Sequence, residues 1–166
     1  MLMNFTAIFV SALIPLMVGA IWYHPKVMGT LWMRLSGTTE EQIRSGNMVV
    51  IFVVTYLLSV LLAITMNYVV IHQAHVYSIL VDEPGFMEEG SELMIWLNDF
   101  MDQYGNNFRS FKHGAFHGVL QAVFFALPVF GINALFERRP WGYIWLHLSY
   151  WVISLALMGG ILCAWI

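Results

Sequence analysis

The stretch FKHGAFHGVLQAVFFALPVFGINALFERRP, residues 111–140, decides the fold. Arg109 and Lys112 stand at its start and Glu137, Arg138, Arg139 and Pro140 at its end, with no formal charge between them. That interior is about two dozen residues, the length of a helix that crosses a bilayer. His113, His117 and Gln121 recur at every fourth position and so share one face of that helix, with Gly114 and Gly118 beside them. This is the most polar line in any apolar run, and it is expected to face the protein interior.

Composition extends the reading to the whole chain. Of 166 residues, 60% are hydrophobic and 10% charged, far from the quarter or so of charged residues in a soluble domain. Mean hydropathy is +0.72. Uncharged runs near 4–24, 47–72, 113–136 and 142–165 each lack Asp, Glu, Lys and Arg. A charge at mid-membrane costs roughly 2.5–3.5 kcal/mol, so such windows mark spans. The expected fold is all-α: one polytopic domain, 1–166, a four-helix transmembrane bundle with an outward acidic loop, 76–110, that contains an amphipathic helix. Nothing basic precedes the first span, which is expected to be retained rather than cleaved. The single cysteine, Cys163, leaves no internal disulfide to form. A net charge of -3 spread over loops carries no nucleic-acid footprint.

In chain order, the first span carries Ser11, Pro15, Gly19 and Tyr23 as a seam for close packing, with a bend at Pro15. The connection 26–46 is expected to hold a short surface helix, and Thr38 or Thr39 ahead of Glu40 and Glu41 reads as a helix start. The second span aligns Thr55, Ser59, Ala63 and Asn67, and its pattern runs on past His72 and His75 toward Leu80. Within the acidic segment, SELMIWLNDFMDQYG puts Leu93, Trp96, Leu97, Phe100 and Tyr104 on one side of a helix that Gly105 ends. Its acidic face is the wrong charge for anionic lipid, so its apolar side is expected to pack on the protein itself or on a sister subunit.

Loop charges orient the chain. Lys26, Arg34, Arg44, Arg138 and Arg139, five in all, flank one side, against Arg109 and Lys112 on the other. The positive-inside rule puts the first set in the cytoplasm and both termini with the acidic loop outside, the periplasm for a bacterial inner-membrane protein.

Three segments carry a family resemblance: GAIWYHPKVMGTLWMRLSG at 19–37, INALFERRPW at 132–141 and LHLSYWVISLALMGGILCAW at 146–165. The chain resembles the small bacterial membrane proteins catalogued as domain of unknown function 1761. The resemblance covers three of the four spans and the cytoplasmic loops, and the acidic stretch is longer than the family leads one to expect. It implies a fold and a membrane location, and transfers no catalytic residue.

Several constellations could carry chemistry. His113 and His117, at i and i+4, can share a metal ion. His147 lies near the other end of its span, about 20 Å away in depth at 1.5 Å per residue, so His72 and His75 are better placed to join them. A metal or haem site at His72, His75, His113 and His117 competes with plain interfacial hydrogen bonding. Arg138 and Arg139 anchor topology by their charge, or clamp an anion or a phosphate-bearing lipid headgroup. No HExxH, CxxC or glycine-rich phosphate loop occurs, and no enzyme activity or other cofactor is read from the chain. Seams of small residues point to a homo-oligomer in the lipid bilayer. The functional expectation is a small oligomeric channel or transporter-like subunit; the alternative is an accessory subunit that binds a larger membrane or envelope partner through the acidic loop.

Overall fold

The structure is a computed structural model that describes residues 3–166, so the first two residues of the expected domain lie outside the described residues. Every regular element among the described residues is helical. The first span is two helices in line, α1 (Phe5–Ser11) and α2 (Ile14–Trp22). Asn4 caps α1 by accepting from the Ala7 amide at 3.0 Å. Pro15 cannot donate to the ladder, and the chain turns at Ala12 and Leu13 just before it. Ser11 and Pro15 are buried, and Tyr150 donates to the Pro15 carbonyl at 2.9 Å. The expected bend and seam are both present.

A π-turn at Pro25–Gly29 leads into α3 (Thr30–Ser36), and α4 (Glu40–Ser45) follows. α3 stands in the apolar first part of the connection, where a surface helix was expected, and α4 begins at the expected threonine. Thr39 starts α4 with a reciprocal cap: its hydroxyl accepts from the Gln42 amide, and Gln42 accepts from the Thr39 amide. The second span, α5 (Met48–Val70), buries Ser59, Ala63, Met66, Asn67 and Val70 and leaves most of its other faces open. It does not run on toward Leu80. The backbone breaks at Ile71, and a separate α6 covers Gln73–Ile79. No proline or glycine lies at the break; tertiary bonds hold it. The Cys163 thiol donates to the Val70 carbonyl at 3.4 Å, and the Gln73 amide donates to the carbonyls of Tyr104 and Asn107. The acidic segment carries α7 (Glu92–Tyr104), capped by Ser91 and followed by Gly105. Leu97 on its apolar side is fully buried, while Trp96 and Tyr104 remain half exposed.

The third span, Phe111–Phe136, is 26 residues long. It consists of α8 (Phe111–Gln121), a π-turn at Ala122–Ala126 and α9 (Leu127–Phe136). Pro128 removes the amide that would have answered the preceding turn, and the helix widens just ahead of it. The last span, α10 (Trp141–Ala164), is the hub: 56% of its apolar window is buried, against 11% in α5. Among the described residues four helices are long and apolar enough to cross a membrane, and their open faces carry Val, Leu, Phe and Ile. In water that surface would be prohibitive. In lipid it costs nothing.

Candidate metal centre

Close packing of α8 on α10 builds the site. The row that α8 buries fully is Gly114 and Gly118, continued by Ala122. A β-carbon at Gly114 would strike the Gly159 carbonyl and Cys163, and one at Gly118 would strike the Leu155 carbonyl. The two backbones touch because these side chains are absent. His113, His117 and Gln121 are half-buried beside this seam. Arg109 closes the same end of the bundle: its Nε donates to the Cys163 carbonyl at 2.8 Å and its Nη2 to the Trp165 carbonyl at 2.7 Å. A cation thus satisfies the otherwise unpaired carbonyls where α10 ends.

The break at Ile71 then swings His72 over α8. His72 Nε2 and His113 Nε2 lie 2.9 Å apart. The three rings of His72, His113 and His117 have centroids 4.5 to 5.0 Å from one another. One ligand nitrogen from each lies within 4.8 Å of the other two. Phe108 packs against His113 and Phe116 edges onto His117. His72 is exposed and the other two are half-buried, so the cluster opens on one side. His75, exposed on the next turn, is not part of the group. Partial desolvation where His72 leans on α8, then the neighbouring His113 and His75, lowers the pKa of the His72 imidazole, which favours the neutral form that ligates metals.

The remaining expected residues fall elsewhere. Gln121 lines an apolar cavity of about 290 Å³ with Leu62, Thr65, Phe125 and Trp151. At the opposite end of the bundle, His147 Nδ1 shares a 3.0 Å hydrogen bond with the Tyr23 hydroxyl, while its Nε2 is buried with no partner among the described residues. Arg139 donates to the Ser36 carbonyl at 2.7 Å and to Glu137 at 3.1 Å, and lies over the Tyr143 ring. Arg138 is exposed, with its backbone at φ 57° and no side-chain partner among the described residues. Sequence reasoning missed the role of the glycines and of Arg109. The spacing Gly114-x-x-x-Gly118 against Gly159-Gly160 was the available signal for the first; Arg109 carried none, since its partners are backbone carbonyls 54 and 56 positions away.

Helix order, apolar spans and lipid-facing surface define a multi-pass α-helical membrane protein. Within that class the chain belongs to the family described as "Protein of unknown function (DUF1761)", whose model matches residues 6–163. The match runs through the acidic segment as well as the spans. No curated protein and no solved structure matches the chain.

Proposed function

We propose that the protein binds a divalent transition-metal ion through His72, His113 and His117, and that this site is the business end of a transporter-like subunit. The observation that carries the reading is the convergence of three imidazole nitrogens within 4.8 Å, on an open side of the bundle. At a zinc–nitrogen distance of about 2.0–2.1 Å, tetrahedral ligands stand roughly 3.4 Å apart. The 2.9 Å His72–His113 contact needs a shared proton, and an ion of this class would take that proton's place after a small outward shift. Three imidazoles leave a fourth position for water or cargo. Their nitrogens sit side by side, which suits a single ion better than a haem with axial ligands on opposite faces. Because α10 fills the centre of the monomer, a path for the ion would run between subunits of a homo-oligomer. The five-to-two charge count supports an inner-membrane orientation with the histidines and both termini outside. Titration of zinc into the purified full-length protein, made without a polyhistidine tag, is expected to give one saturable site per chain that His113→Ala removes; no heat and no bound zinc would sink the proposal.

One observation favours the accessory reading. Along α7 Trp96 stacks on Phe100 at 5.6 Å and Phe100 meets Tyr104 at a tilt at 5.0 Å, with Trp96 and Tyr104 half exposed. Aromatic rows of this kind anchor interfaces. A photo-crosslinker placed at Trp96 in native membranes should trap one defined envelope or membrane partner, and adducts to lipid alone would count against it.

A further inference from the structure

The third span carries two carboxamides at membrane depth, Gln121 half-buried and Asn133 exposed. Neither side chain makes a hydrogen bond among the described residues, and neither amide is sealed in the interior. Gln121 stands ten residues after Phe111, about 15 Å at 1.5 Å per residue, which is the middle of the bilayer. Asn133 follows twelve residues later, roughly 18 Å deeper. A regular helix would turn it about 120° away from Gln121. The π-turn at Ala122–Ala126 advances fewer degrees per residue and takes back much of that offset. The two amides therefore line adjoining recesses that share Phe130 and Trp151, of about 290 Å³ around Gln121 and about 200 Å³ around Asn133. Thr65, on the facing wall, already donates to the Leu61 carbonyl at 3.1 Å.

We propose that this stripe is the contact between two parallel copies of the chain, with Gln121 against Gln121 and Asn133 against Asn133 about a two-fold axis along the membrane normal. The inference names the subunit contact that the ion path needs, and does not rest on the metal site. Lipid tails fill apolar recesses but offer neither donor nor acceptor, so they leave both amides unanswered. Lipid ester and phosphate groups lie about 15 Å from Gln121, at the membrane faces. A carboxamide is donor and acceptor at once, so an identical carboxamide answers it. A foreign helix would have to carry polar groups at both depths. A second copy has them already, because both copies enter the bilayer in the same sense and a two-fold contact sets each residue against its counterpart. Glu137, at the end of the stripe, does not oppose this: its carboxylate is held by Arg139 at 3.1 Å.

Energy transfer between donor- and acceptor-labelled full-length protein tests this, in phosphatidylcholine vesicles of rising lipid content with a chelator present. The wild type should be dimeric, Gln121→Leu should associate about ten-fold more weakly and Asn133→Leu about three-fold more weakly. Both variants place an apolar chain on an open face and should melt no lower than the wild type, which separates lost association from lost folding. In native membranes, Gln121→Cys and Asn133→Cys should each oxidise to a disulfide-linked dimer of the chain. Met17→Cys, exposed on the first span and lining neither recess, should stay monomeric. A wild type that is monomeric at every dilution, a dimer that Gln121→Leu leaves untouched, or a Gln121→Cys that links only to a different protein would overturn the assignment. Zinc binding without a dimer would break this inference alone, and a dimer without zinc binding would leave it standing.

Discussion

At one end of the bundle three imidazoles crowd together on two elements, α8 and the break after α5, with their nitrogens close enough to share one ion. At the other end His147 stands among aromatic rings, with one nitrogen on Tyr23 and the other without a partner among the described residues. Four of the six histidines lie at the first end and two at the second, and backbone geometry decides which of them converge. A helix that breaks at Ile71 can carry His72 over its neighbour, whereas an unbroken α10 holds His147 within its own span. The convergence of the three imidazoles depends on where a helix stops.

The strongest way to break the comparison is to remove the seam on which both ends rest. Gly118→Leu drives a branched side chain into the Leu155 carbonyl and should cost about 3 kcal/mol or more, or prevent folding outright. Gly131→Ala is the control, since a β-carbon there meets only Leu127 at an ordinary 3.6 Å; it should melt at or above the wild-type temperature. Next in size, His113→Ala should weaken zinc binding by about a hundred-fold or more, in line with loss of one of three ligands. His147→Ala should leave zinc affinity unchanged. Equal losses in both variants would erase the distinction between the ends.

Smaller effects sharpen it. Arg109→Ala removes two charge-assisted bonds to the end of α10 and should lower stability by about 2 kcal/mol. Arg138→Ala, beside an exposed turn, should change it by less than about 0.5 kcal/mol. Both are read from melting of the detergent-solubilised protein. Tyr23→Phe should cost about 1 kcal/mol through the lost bond to His147, with zinc affinity unmoved.

These contrasts trace how much of the molecule could be read from its letters. The spans were legible because absence of charge over a membrane's thickness admits few alternatives, and the structure places them within a few residues of the expected limits. The rows through Ser11 and Pro15 and through Ser59, Ala63 and Asn67 were legible for a similar reason: small residues at helical spacing mark close packing. The break at Ile71 was not, because its causes are the thiol of Cys163 and the backbone of the acidic segment, far away in sequence. Two members of the histidine cluster were visible as the i, i+4 pair; the grouping of His72 rather than His75 with them hung on that same break. On α8 the sequence drew attention to the polar row, while closest packing selected the glycines next to it. Polarity announces itself in a sequence more loudly than a missing side chain does.

X-ray absorption of the zinc-loaded, untagged full-length protein addresses the metal-centre proposal most directly. The account predicts one zinc per chain with three imidazole nitrogens at about 2.0–2.1 Å and one water oxygen, and loss of that signature when His72, His113 and His117 are all replaced by Ala. Zinc held by carboxylate oxygens alone, or an unchanged spectrum in the triple variant, would contradict it.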